Sequence, residues 1–376
     1  MCSQALSEKS PQFPAYLRNR YSKETTMPAD TYPCPTIAAV QAAPAYLDRD
    51  AGLKKVRKLT EEAKKNEADL VVFSETFIPG FPSWVHMHAP MDQHGLFRKM
   101  VENSIEIPSP AFYELQRIAR DNSIFLSIGI SEKAPRQSIG VMWNTNLIFD
   151  NQGNLVARHR KLLPTWSEKL VWSFGDGSSL TVHDTALGRL GALICGENTN
   201  SLAKYALISQ GEQIHISTYP ACFPSSRTPT GGQAYFDTLA VRACSMSYEG
   251  KLFTVVSSQA LDEQGYEVLS MGSKDIRNLL DALTYGGSMI VSPSGAFCSD
   301  VIKDNKEGIV YAACDIATEI CFKSMHDVSG NYQRNDVFHF EVNKAVREPA
   351  YYTNTDSAHG RDYYPFIADE AGADLE

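Results

Sequence analysis

Four residues suited to nucleophilic chemistry each stand where an apolar run gives out. They are Glu75 after "DLVVFS", Glu132 after "IFLSIGIS", Lys161 after "NLVARHR" and Cys195 after "GRLGALI". A thiol attacks carbon only as thiolate, and its pKa falls beside a lysine or a helix N-terminus. In "GALICGENTNSLAKY" the cysteine sits between an expected strand and an expected helix, so amides of the turn are expected to face the sulfur. Gly196 suits a tight strand–nucleophile–helix elbow. A carboxylate at Glu75, ahead of "TFIPGFPSW", is costly to bury unless it is paired or its pKa rises, and a raised pKa suits a general base near neutrality. Each residue alone also has a plainer reading: a small buried hydrophobe for Cys195, strand-end carboxylates for Glu75 and Glu132, and a solvated basic face for "ARHRK".

The elements that must carry these residues alternate along the chain. "TIAAVQAAP" reads as a strand, and residues 49–68 as an amphipathic helix with Leu53, Val56, Leu59 and Ala63 on one stripe. "DLVVFSE" follows as a buried strand ending at Glu75. "AFYELQRIARDNS" is helical, and "IFLSIGISE" is a strand ending at Glu132. "NTNLIFDNQGNLVARHRK" reads as a β-hairpin about "DNQGN", with Lys161 at its far end. The strand "GRLGALIC" and the helix "NSLAKYALISQG" come next, then "IHIST", a helix near "QAYFDTLAVRACSMSYEG", and the β-rich runs "KLFTVVSS", "GGSMIVSPSGA" and "GIVYAACDI". Alternating strand and helix imply an α/β fold, and the hairpin makes the sheet mixed rather than purely parallel. In such folds the carboxyl ends of strands border the ligand crevice, so four strand-end residues far apart in sequence can converge.

The chain has 376 residues, with 35 basic and 44 acidic side chains and a net charge of −9, which gives no footing for nucleic acid or an anionic membrane. No run is long and apolar enough for a signal-peptide core or a membrane span, so the chain reads as cytosolic, with its eight cysteines reduced and none in a paired C-x-x-C set. "HMH" at 86–88 lacks the further ligands of a metal site, and the glycine-rich "SFGDGSS" lacks a phosphate loop's lysine. The stretch 36–340 reads as one domain between an N-terminal extension, 1–35, and a C-terminal arm, 341–376.

Together the motifs change the picture. "FSETFIPGFPSW", "HRKLLPT" and "GRLGALICGEN", in that order, resemble the glutamate, lysine and cysteine motifs of the nitrilase branch of the carbon–nitrogen hydrolase superfamily. "GISE", "VWSFGDGSSL", "GGSMIVSPSG" and "NYQRNDVF" resemble the same branch. The resemblance implies a four-layer αββα sandwich with mixed β-sheets. It also implies Cys195 as nucleophile, Glu75 as base, Lys161 as stabiliser of the tetrahedral species and Glu132 as a supporting carboxylate. It implies no cofactor or metal, a small nitrile or amide as substrate, and homodimers or larger homo-oligomers. Trp84, Trp166, Trp172, Tyr219 and Phe223 are candidate pocket walls. The expected activity is hydrolysis of a nitrile to acid and ammonia. Amidase or nitrile/cyanide hydratase activity, or a non-catalytic binding role, are the alternatives. One departure stands out: nitrilases usually carry tryptophan directly after the nucleophile, and here Gly196 occupies that place.

Overall fold

Period-two alternation in the strands decides which layer each residue joins. In the strand β1 (Thr36–Gln41), Ala38 and Val40 pack outward under two helices, α1 (Arg49–Lys65) and α3 (Pro110–Asp121), with Val56, Ala63, Leu115 and Ile118. Ile37 and Ala39 of the same strand face the opposite way, into a core shared with Leu190, Ile214, Ile216 and Val255 of a second sheet. A one-residue slip would exchange the two faces, so this alternation also sets the register. Truncating a wholly buried residue of the shared core such as Ile216 to alanine would cost about 2–5 kcal/mol.

The computed structural model describes residues 32–135, 138–223 and 234–347. Residues 1–31 of the expected N-terminal extension and 348–376 of the expected arm lie outside the described residues. The first sheet contains β1, β2 (Leu70–Val72), β3 (Ile105–Glu106), β4 (Phe125–Lys133), β5 (Met142–Phe149), β6 (Leu155–Arg160) and β13 (Gly308–Ala313). Its order is β13-β1-β2-β4-β5-β6, with β3 pairing β4. The second contains β7 (His183–Thr185), β8 (Gly188–Ile194), β9 (Ile214–Thr218), β10 (Phe253–Ser257), β11 (Gly287–Val291) and β12 (Ile302–Lys303), in the order β12-β11-β10-β9-β8-β7. Its outer face is covered by α4 (Ser201–Ile208), packed on Leu193, and α5 (Tyr235–Gly250), packed on Val256, Met289 and Val291. Helix, sheet, sheet and helix give the four layers.

Strand direction brings the site to one edge. β1, β2 and β4 are parallel, and the β5–β6 hairpin reverses twice, so β6 again runs with β2. In the second sheet β8, β9 and β10 are parallel. A parallel bridge between Ala42 and Gln259, with Ala260 N–H donating to the Ala42 carbonyl, aligns the carboxyl ends of the two sheets.

Some elements depart from expectation. The second strand's ladder stops at Val72 rather than Glu75, because the chain there leaves the sheet to cross Gly129 of β4. A Cβ at Gly129 would lie 2.4 Å from the Ser74 carbonyl and 2.8 Å from the Glu75 Cα, so only glycine admits that crossing. Four helices escape sequence reading: α2 (His94–Asn103), α6 (Glu263–Ser270), α7 (Lys274–Ala282) and α8 (Thr318–Met325). Each is short and polar and buries only one to three residues, too few to mark a period. Residues at the start of the expected C-terminal arm pack back on the rest of the chain: Val342, like Phe340 just before it, lies beside α4, and Arg347 N–H donates to Asp176. Among the described residues no helix is long and apolar enough to cross a membrane.

Candidate active site

Glu75, Lys161 and a third residue, Glu168, form a buried cluster at the aligned strand ends. Lys161 Nζ lies 2.8 Å from Glu75 Oε1 and 2.8 Å from Glu168 Oε2, and all three side chains are wholly buried. Asn144, near the start of β5, braces the arrangement: its Nδ2 donates to Glu75 Oε1 at 2.7 Å, and its carbonyl accepts from Lys161 N–H at 2.8 Å. Gln259 Nε2 donates to the Glu75 carbonyl at 2.6 Å. Among the described residues Glu75 Oε2 has no hydrogen-bond partner, so one oxygen of the carboxylate is left to take a proton.

Electrostatics suit proton transfer. Burial raises the Glu75 pKa; Lys161 pulls it back, Glu168 pushes it further up, and it comes to about 7. Burial works against the Lys161 ammonium, but Glu75 and Glu168 outweigh it and hold the lysine charged, well above its ordinary pKa. Cys195 interacts with the same charges. Burial and Glu75 raise its pKa while Lys161 lowers it, and the thiol ends above its ordinary value. A resting thiolate is thus disfavoured, and attack requires the proton to pass to a base during the step.

The elbow differs from its expected form. Cys195 itself takes the left-handed backbone, at φ +51°, and Gly196 does not. A single 3-10 turn (Cys195–Thr199) separates it from α4, whose first amides bond to the Asn200 side chain, so the helix N-terminus is capped rather than turned to the sulfur. Glu197 binds this turn to the lysine strand. Its Oε1 accepts from Leu162 N–H at 2.7 Å, and its Oε2 accepts from Ile194 N–H at 2.8 Å and lies 2.9 Å from His159 Nε2.

Glu132 does not join the cluster. Its buried carboxylate pairs with Arg158 and Arg160 and accepts from Thr145 Oγ1 at 2.9 Å. Burial raises its pKa, but the two guanidinium charges overcome this and hold it at about 2. Among the described residues the second carboxylate against Lys161 is Glu168, whereas Glu132, the acid expected from the sequence, is held by the two arginines. Glu132 lies on the β4 ladder opposite Trp143, within reach of the arginines of β6, and those charges claim it. The signal for Glu168 was its place seven residues after Lys161 in "LLPTWSEKL", a lone acid in a turn that gives no periodic cue.

The aromatic candidates divide. Trp166 is 68% exposed and lies 5.9 Å from Phe223, which meets His86 edge-on at 4.9 Å. Tyr219 is buried in one cluster with Cys195 and Tyr235. Trp84 is also wholly buried. Trp172 is buried: its indole N–H donates to Ser131 Oγ at 3.1 Å and its ring tilts onto Phe81. Burial and then Lys161 hold the His86 imidazole down at about 4, and His88 bonds to the Leu269 carbonyl instead of turning with it toward a metal. Among the described residues no three His, Cys, Asp or Glu side chains gather as a metal site.

Comparison with known proteins bears on this geometry. The family profile described as carbon-nitrogen hydrolase matches residues 36–322. The chain belongs to the carbon-nitrogen hydrolase family. It is therefore a hydrolase acting on carbon–nitrogen bonds other than peptide bonds. This hydrolase is 32% identical over 321 residues to an aliphatic nitrilase of Rhodococcus rhodochrous, covering 85% of this chain and 82% of that one. It is also 32% identical over 313 residues to the arylacetone-specific nitrilase of Alcaligenes faecalis, covering 83% of this chain and 85% of that one. Among solved structures it resembles Saccharomyces cerevisiae Nit3, a member of branch 10 of the nitrilase superfamily. That match has a TM-score of 0.62 at 24% identity and covers 80% of this chain and 97% of the other, which shows a shared fold.

Proposed function

We propose that this hydrolase converts a nitrile to the carboxylic acid and ammonia through a thioimidate on Cys195. The observation that carries the reading is the buried Glu75–Lys161–Glu168 cluster, electrostatically coupled to the Cys195 thiol. The nitrilase names of the relatives at about one-third identity support it.

In the first step the Glu75 carboxylate takes the thiol proton as the sulfur attacks the nitrile carbon. One carbon–nitrogen π bond opens, and its electron pair goes to nitrogen, which takes up a proton to give the thioimidate. Lys161, held cationic in a dry site, stabilises the negative charge that develops there. Water then adds to the thioimidate carbon with Glu75 accepting its proton. The tetrahedral species expels ammonia and leaves a thioester. A second water releases the acid and returns the proton to sulfur, so one nitrile and two waters give one acid and one ammonia. If the first tetrahedral species expels the thiol instead, the product is the amide.

Gly196, beside the sulfur, bears on which branch is taken. Among the described residues a Cβ there would meet only Thr165 Oγ1, at 3.2 Å, and position 196 itself supplies no aromatic wall beside the nucleophile. The deciding experiment incubates the enzyme with a panel of nitriles and amides and measures ammonia, acid and amide together. Acid with stoichiometric ammonia from a nitrile supports the reading. Amide alone points to a hydratase, and turnover of amides only points to an amidase. We read the enzyme as cytosolic and as a homodimer or larger homo-oligomer, which fractionation and light scattering test.

A further inference from the structure

A second buried polar chain leads to the cysteine backbone, and no step of the proposed hydrolysis uses it. Glu212, His215 on β9 and Asn198 in the 3-10 turn are each at most 2% exposed. Asn198 Nδ2 donates to the carbonyls of Leu193, at 3.2 Å, and Cys195, at 3.0 Å. Its Oδ1 therefore faces His215 Nε2, at 2.8 Å, and because an amide oxygen only accepts, Nε2 must carry a hydrogen. His215 Nδ1 lies 2.8 Å from Glu212 Oε1, so one proton is held between them. Whether that proton sits on nitrogen or oxygen, the pair has no net charge, which makes its complete burial tolerable.

The chain ends on a strained backbone. A non-glycine residue in the left-handed region persists only where its surroundings over-determine it, and Cys195 at φ +51° is such a residue. Asn198 grips the carbonyls on both sides of the Ile194–Cys195 segment, where that strain lies. We propose that Glu212, His215 and Asn198 form a positioning relay that clamps the left-handed conformation of Cys195 and thereby aims its sulfur. The histidine orients the asparagine, since only an N–H on Nε2 keeps both amide hydrogens of Asn198 on the cysteine turn. The relay rests on the reading of Cys195 as the nucleophile.

The test compares Asn198→Asp, which replaces the clamp's donor with an acceptor at nearly constant size, with His215→Leu and His215→Gln. Two readouts are taken on folded protein: kcat and KM with a turned-over nitrile, and the rate of iodoacetamide alkylation at Cys195, with Cys298 as internal control. Asn198→Asp and His215→Leu are expected to lower kcat about a hundredfold with KM within about threefold, since small misplacements of a reacting group cost that much. Alkylation at Cys195 should fall with kcat while Cys298 is unchanged. His215→Gln, which keeps an N–H for Asn198, should recover most of the loss. Asn198→Ser, whose smaller side chain admits water, carries the same expectation if either severe variant does not fold. Wild-type kcat and labelling in the folded variants would overturn the relay, as would equal losses in His215→Leu and His215→Gln. Relay-dependent labelling without turnover of any nitrile or amide would instead remove the proposed activity and leave the relay standing.

Discussion

Glu197 Oε1 accepts a hydrogen bond from Leu162 N–H at 2.7 Å, so the residue two past the cysteine is fastened to the residue one past the lysine. The two follow strands of different sheets, β8 and β6, and this bond ties the turn that begins at Cys195 to the chain just past Lys161. Replacing Glu197 with alanine would leave two amides and His159 without their buried partner. The expected loss is about 3–5 kcal/mol, with a fall in kcat as the strand ends separate. Thermal unfolding followed by circular dichroism, with kcat per folded enzyme, checks both.

Cys195→Ala should abolish turnover of every nitrile and amide while leaving the unfolding temperature within a few degrees of wild type. Full activity in this variant would remove the cysteine from the mechanism.

Burial raises the Glu75 pKa, Lys161 lowers it and Glu168 raises it further, to about 7. The acid limb of kcat/KM is therefore expected near neutrality, because the base must be ionised to act. Glu168→Gln removes the neighbouring negative charge, so Glu75 ionises more readily and the limb moves to lower pH. The maximal rate should also drop, by roughly 10²–10³-fold, as Lys161 loses one of its two carboxylate partners. A pH–rate profile of the variant that keeps its acid limb in place would contradict this coupling.

Glu132, paired with Arg158 and Arg160, is expected to matter for stability rather than chemistry. Its folded pKa, about 2, lies below that of an unfolded glutamate, about 4.3. Its contribution is therefore complete above the unfolded value and is lost as pH falls toward 2. Glu132→Gln should flatten that part of the stability–pH curve and cost about 2–4 kcal/mol at neutral pH, with kcat per folded enzyme near wild type. Urea titrations at several pH values read the slope.

Gly196→Trp tests the missing wall. Among the described residues the Cβ direction at Gly196 meets only Thr165 Oγ1, which must give by a few tenths of an ångström. We expect a folded protein, destabilised by about 1 kcal/mol, with a changed ranking of nitriles and a changed ratio of acid to amide. An unchanged profile across the panel would show that position 196 does not shape the pocket.

Much of this was legible in the order of residues. Apolar runs of period two with helical stretches between them are local patterns, and they were enough for a mixed α/β chain and for placing Glu75, Lys161 and Cys195 at or just past strand ends. Other features depend on contacts that sequence does not contain. Glu132 and Glu168 are both lone acids, and only the arginines of β6 beside one, and the lysine ammonium against the other, assign them their different partners. The left-handed turn at Cys195 and the crossing over Gly129 likewise follow from hydrogen bonds and close approach between segments far apart in the chain. Periodicity reports which face of an element is apolar. Which charges meet on that face is settled only when the two sheets pack and their carboxyl ends align.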